Sequence, residues 1–205
     1  MPPDPLAVTA FGLAVFALPP GSKRAAPGWH SRCTADRATL AAGWQPGDNV
    51  GVGCRASGVV GVDLDRHDGG PDGYETFAAL CAQARAPWPA TLTVRTAHGG
   101  LHLYFRAPAG VPVASAIARW PGIDIRGPGY RTGGYLAGPG SVVDGQPYII
   151  ERDTGIAELL AWLAGILDAS RARERVSKTP RPACQSPGRY HGEMGRGSWP
   201  RPGVT

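Results

Sequence analysis

The sequence predicts a loop-rich α/β (α+β) domain. Its 30 glycines and 21 prolines in 205 residues, about twice average usage, favour short elements and tight turns over a helix bundle. Short apolar runs bounded by turn signals alternate with a few segments of helical period. Several of those runs also split into an apolar and a polar side, as half-buried strands do. A chain of this length holds one ordinary domain and a tail.

Taken in order, Pro5 to Phe11 reads as a short helix stopped by Gly12, and Leu13 to Leu18 as an apolar strand ended by Pro19-Pro20-Gly21. Thr34 to Ala42 reads as a helix opened by Thr34 or Asp36, and Val50 to Cys54 and Val59 to Asp65 as strands. Asp72 to Ala84 has a helical stripe of Tyr74, Phe77, Ala78 and Cys81, and Pro87 and Pro89 break the chain after it. Strands follow at Thr91 to Thr96, Leu101 to Arg106, Gly122 to Arg126, Gly134 to Ala137 and Tyr148 to Glu151. Ile156 to Asp168 closes the domain as a helix, so the ordered unit is expected over 1–168.

The net charge of +5 is unevenly placed: residues 1–168 carry 13 Lys/Arg against 14 Asp/Glu, whereas 169–205 carry 8 against 2. That Pro/Gly/Arg-rich tail lacks apolar periodicity and is expected to be disordered. Arg171, Arg173, Arg175, Lys178 and Arg181 suit a sequence-independent arm on phosphate backbones, and equally a solubilising extension or a linker. Trp199 adds one possible stacking group. No apolar stretch approaches the roughly 18 residues of a membrane helix, and no secretory signal opens the chain. A cytoplasmic protein with no membrane partner is expected. Cys33, Cys54, Cys81 and Cys184 form no C-x-x-C pair, so neither a zinc site nor a disulfide framework is expected.

The run Gly61-Val62-Asp63-Leu64-Asp65 carries the chemistry. Residues two apart on a strand point the same way. Adjacent carboxylates disfavour each other's ionisation, and a divalent cation between them is the usual remedy. Separating strand faces extends the site: Val60, Val62 and Leu64 oppose Gly61, Asp63 and Asp65; Leu101, Leu103 and Phe105 oppose His102, Tyr104 and Arg106; Ile123 and Ile125 oppose Asp124 and Arg126. On a shared sheet, the apolar face lies under helices and the other presents acids, a histidine and arginines.

Asp63, Asp65 and Asp124 form an oxygen ligand set suited to Mg²⁺ or Mn²⁺, and two such ions serve in-line displacement at a phosphate. His102, Arg126 and other arginines would neutralise a triphosphate, and Gly99-Gly100 lets the backbone approach a ligand closely. Plainer readings stand beside these. Asp124 also suits pairing with Arg126 or capping a turn, His102 a structural hydrogen bond, His67 and Asp68 a solvated turn, and Arg95 either substrate or solvent. There is no G-x-G-x-x-G between strand and helix, no P-loop and no G-x-S-x-G elbow.

These residues together resemble the bifunctional primase/polymerase N-terminal (Prim-Pol) domain of the archaeo-eukaryotic primase superfamily. The resemblance runs through Phe11–Phe16, Gly21-Ser22-Lys23, Gly28-Trp29 and Asn49–Gly53, then Gly61–Asp65 leading to Gly69-Gly70. It continues through Thr91–Thr96, Gly99–Phe105, Gly122–Gly127 and Gly134–Ser141. It implies an RRM-like catalytic sheet combined with an N-terminal α/β unit. It implies metal binding by Asp63 and Asp65, completed by Asp124, and nucleotide phosphate contact by His102; Gly99, Gly100, Arg126 and Arg95 are further nucleotide-binding candidates from the strand faces and the glycine turn alone. Primer synthesis and extension on single-stranded DNA from nucleoside triphosphates are the implied activity, in replication of a plasmid, phage or integrated element, with a separate replicative helicase as a possible partner. The superfamily often has Ser where Gly100 stands here, and some relatives carry a zinc element that the dispersed cysteines do not supply.

A non-catalytic or weakly catalytic DNA-binding replication initiator is the alternative, and a nuclease the third reading. Tyr104 and Tyr130 are available as nucleophiles for a rolling-circle nuclease, but its paired histidines are missing. Deletion after Ser170 is expected to weaken DNA binding and flatten its salt dependence. Titration of a labelled oligonucleotide at several salt concentrations measures both, and an unchanged affinity and slope would reject the arm.

Overall fold

The computed structural model describes residues 3–66, 69–110 and 113–167. His67, Asp68, Trp199 and the tail residues Arg171, Arg173, Arg175, Lys178 and Arg181 lie outside the described residues.

Helix α1 (Pro5–Thr9) starts where the Asp4 carboxylate accepts the Leu6 N–H at 2.9 Å, with Pro5 at the first helical position, where its missing N–H costs nothing. The chain enters strand β1 (Val15–Leu18), then a 3₁₀ turn over Trp29–Arg32, and helix α2 (Arg37–Gly43). Asp36 caps α2 by accepting the Thr39 N–H at 2.8 Å, while Thr34 bridges to Val15. Strand β2 (Asn49–Gly53) passes directly into helix α3 (Cys54–Ser57), and β3 (Val59–Leu64) follows. Helix α4 (Gly73–Gln83) is capped by Asp72, which accepts the N–H groups of Tyr74 and Glu75. The remaining strands are β4 (Thr93–Arg95), β5 (Leu101–Arg106), β6 (Ala116–Trp120), β7 (Ile123–Arg126), β8 (Tyr135–Ala137), β9 (Val142–Val143), β10 (Gln146–Pro147), β11 (Ile149–Arg152) and β12 (Ala157–Glu158). Residues 161–167 are helical.

The main sheet has the order β11-β4-β5-β3-β7-β6, all neighbours antiparallel, and β12 joins β5 in parallel. A smaller antiparallel sheet has the order β1-β2-β8. Two apolar clusters fix the layers. Val60, Val62, Leu64, Leu103, Phe105, Ile123 and Ile125 pack on Phe77, Leu80 and Cys81 of α4 and on Leu163 of the last helix, so helices cover the apolar face as the alternation requires. Val59, Val94 and Tyr104 on the opposite face pack with Val15, Leu18, Val50, Val52 and Leu136 of the smaller sheet.

The second cluster corrects the expectation that this opposite face simply presents charge. One part of it is a dry interface between sheets, and Gly61 lies in that part: a Cβ there would sit 2.2 Å from Leu136 Cδ1. Other differences have local causes. Strand β6 leaves no alternation in the sequence, being an edge strand with exposed Ile117 and a register shift between Ala116 and Trp120. The closing helix starts later than Ile156 because residues 157–158 pair with β5, and the Leu159 N–H donates to the Arg106 carbonyl at 3.0 Å. Tyr74 stands half-exposed rather than in the buried stripe of α4, where Leu80 takes part instead.

Gly61→Ala is expected to force the Leu136 side chain to repack in the inter-sheet core and cost about 1–3 kcal/mol. Calorimetry would register this as a Tm lower by about 2–4 °C for each kcal/mol.

Candidate active site

Strand register assembles the site. On β3, Asp63 stands directly opposite His102 of β5 on one side and Asp124 of β7 on the other, so the three side chains share one face as immediate neighbours. Asp65 follows on the same side, just beyond the strand. Its backbone is held at both ends: its N–H donates to the Gly122 carbonyl and its carbonyl accepts the Gly73 N–H, both at 2.8 Å. Thus the β6–β7 turn and the start of α4 fix the exit of the D-x-D run. One carboxylate oxygen from each of Asp63, Asp65 and Asp124 lies within 4.8 Å of the others. Three hard oxygen donors at this spacing fit a divalent cation.

The histidine ties the acids to the second sheet. His102 Nδ1 lies 3.2 Å from the Ala137 carbonyl of β8; a carbonyl only accepts, so Nδ1 donates. Its Nε2 lies 3.2 Å from Asp63 Oδ1. Burial pushes the Asp63 carboxyl up, but the charge and hydrogen bond of His102, aided by Arg126 and Lys23, outweigh it and hold the carboxyl below its ordinary value.

Asp124 is buried and engaged at both oxygens: Oδ1 accepts the Ala118 N–H at 2.6 Å and Oδ2 accepts from Arg126 Nη2 at 2.7 Å. Ala118 holds φ 48°, unusual for a residue with a Cβ. That strained residue lies in the irregular stretch of β6 and aims its N–H at the acid. The pairing of Asp124 with Arg126 is therefore present alongside its proximity to the other carboxylates, and the two readings of this acid meet in one arrangement.

A cleft of about 240 Å³ opens above the acids, lined by Asp63, Asp65 and His102 with Lys23, Arg24, Arg66 and Arg126. Acidic floor and basic walls suit a cation bound together with a polyphosphate. Lys23 and Arg24 sit in the loop after β1, where no strand alternation marks the direction of a side chain. Tyr135 holds that loop: its hydroxyl accepts the Ala25 N–H at 3.0 Å and donates to the Lys23 carbonyl at 3.1 Å. The adjacent cations in Gly21-Ser22-Lys23-Arg24 were a visible signal, but only packing shows where the loop goes. Tyr148 also lines the cleft; burial, then the charges of Asp63, Asp65 and Asp144, push its phenol up to about 12, so it stays a neutral donor.

The other candidates divide. Gly100 lines the cleft, yet its lack of a side chain serves the protein itself, since a Cβ would sit 2.4 Å from the Leu64 carbonyl. The backbone here therefore leaves no room for a Ser side chain at this position. Gly99 takes φ 81° in the turn closed by the Thr96 N–H and the Gly100 carbonyl at 2.8 Å. Arg95 is not brought into the cleft: it shares a face with Leu101, opposite to His102, and pairs with Glu151 at 3.3 Å. Arg106 braces the chain by donating to the Phe11 carbonyl at 3.1 Å, and Tyr104 is fully buried, which removes it as a nucleophile.

Fold and site define an α+β domain whose acidic cleft sits on the central strands of a large antiparallel sheet. The sequence model of the family described as bifunctional DNA primase/polymerase, N-terminal (Prim-Pol), matches residues 5–162, and the chain belongs to that family. No curated protein matches it. The match spans both sheets and all three clustered acids, Asp63, Asp65 and Asp124.

Tyr135→Phe is expected to release the Lys23–Arg24 loop by removing a bridge that contributes about 0.5–1.5 kcal/mol. Hydrogen exchange should show the Ala25 amide losing about 2- to 10-fold in protection, with the Ala137 region unchanged.

Proposed function

We propose that this domain is a nucleotidyltransferase that makes or extends primers on a single-stranded DNA template. The observation that carries this reading is the in-register row His102–Asp63–Asp124, with Asp65 beside it, beneath basic cleft walls. Family membership supports DNA and nucleoside triphosphates as substrates.

Asp63, Asp65 and Asp124 would hold Mg²⁺ or Mn²⁺, whose oxygen preference matches this donor set. Such ions, when bound, activate an attacking hydroxyl and stabilise a leaving pyrophosphate. His102 fixes the orientation of Asp63 through Nε2 and is itself fixed through Nδ1. Lys23, Arg24, Arg66 and Arg126 offset triphosphate charge from the cleft walls. The Tyr148 hydroxyl, neutral in this environment, supplies a donor without added charge. The tail from Arg171 to Arg181 would add phosphate contacts on the template. Replication of a mobile element in the cytoplasm, beside a separate helicase, is the setting this activity suits.

A labelled single-stranded template supplied with triphosphates and Mg²⁺ or Mn²⁺, with and without a primer, tests the assignment. Metal-dependent products are expected from the intact chain, falling by about 10²- to 10³-fold in Asp63→Ala and Asp65→Ala, with far-UV spectra unchanged. Binding without synthesis under every condition would favour the replication-initiator reading, and a shortened template would favour a nuclease.

A further inference from the structure

A ladder of aromatic rings runs from the helix-side core to the surface and ends on an open face. Phe77 lies 6.1 Å from Trp162 and meets Trp88 edge-on at 5.1 Å. Trp88 in turn stacks on Tyr74 with centroids 4.6 Å apart and planes at 28°. Tyr74 is 46% exposed. Beside it lies a hollow of about 390 Å³, lined by Tyr74, Trp88, Thr93, Leu101, Glu151 and Arg152.

Its position relates it to the active cleft. Leu101 and His102 are consecutive on β5 and point to opposite faces of the sheet; His102 lines the cleft and Leu101 the hollow. The turn from Thr96 to Gly100 leads into β5 beside both, with Thr96 and His98 lining the cleft. On the neighbouring side Arg66 lines the cleft and pairs at 2.9 Å with Asp72, the cap of α4, two residues before Tyr74. The cleft and the hollow thus lie on opposite faces of the sheet beside the start of β5, with Arg66 at the cleft and Tyr74 and Arg152 at the hollow.

We propose that this hollow holds an unpaired base of the single-stranded nucleic acid whose neighbouring segment occupies the cleft, stacked on Tyr74, with its phosphate at Arg152. Stacking on an aromatic face is the sequence-tolerant contribution in single-strand binding. A fixed ring suits it, because Trp88 already holds Tyr74 in place. An apolar protein segment fits less well: it would desolvate Arg152 and the Arg95–Glu151 pair without compensating either. The inference rests on the nucleotidyl-transfer reading for the identity of the strand, and its test is separable because it needs neither metal nor triphosphate.

Anisotropy titrations of the full chain with a labelled oligothymidylate in a chelator read the effect directly, in parallel with the same oligonucleotide made abasic. Tyr74→Ala is expected to weaken binding of the intact oligonucleotide by about 5- to 150-fold and to leave abasic binding unchanged, with Tyr74→Phe close to the parent. Arg152→Gln is expected to lower the slope of log affinity against log salt by about 0.7, which tests the site independently should Tyr74→Ala fail to fold. Equal affinity of parent and Tyr74→Ala, an equal loss on the abasic strand, or an unchanged slope in Arg152→Gln would overturn the proposal; the latter results would leave the surface to a protein partner. Loss of synthesis in Asp63→Ala with normal strand binding bears on the catalytic reading alone.

Discussion

The contact on which the site depends is the pairing of β5, β3 and β7 in a register that lines up His102, Asp63 and Asp124. A slip of one residue on any of these strands would turn its polar side chain into the helix-side core, so the apolar cluster of Val60, Val62, Leu64, Leu103 and Ile125 enforces the register. The same alternation that buries these residues thus aims the acids into the cleft. Fold and chemistry share one determinant.

That register also creates an electrostatic cost, because like charges opposite each other on adjacent strands repel. The molecule answers it locally. His102 joins Asp63 and is braced by the Ala137 carbonyl of the smaller sheet, while Asp124 is held by Arg126 and by the Ala118 N–H. Two elements with no ligand of their own, β8 and the strained stretch of β6, therefore stabilise the acids. The close sheet contact at Gly61 and Leu136 permits the first of these braces, since it brings β8 within reach of His102.

The cleft lies where that inter-sheet packing opens. Its floor comes from the main sheet and part of its wall from the loop carrying Lys23 and Arg24, clamped by Tyr135. The clamp belongs to β8, so one short strand sets both the histidine and the basic wall. Gly100 has a structural part in the same place, because its close neighbour is the Leu64 carbonyl.

Alternation by itself determined the acidic row, the helix-covered face and most strands, because a period of two is a local property that burial on one side imposes on the sequence. Ordered motifs were enough to indicate the family, which the match over residues 5–162 establishes. Tertiary structure alone decided what covers the second face, where Lys23 and Arg24 sit, why Arg95 points away and how Asp124 is satisfied. Those outcomes depend on contacts between segments far apart in the chain, such as Ala25 with Tyr135 and His102 with Ala137. They also depend on irregular backbone at β6 and the β1 loop, where no repeating pattern records the direction of a side chain.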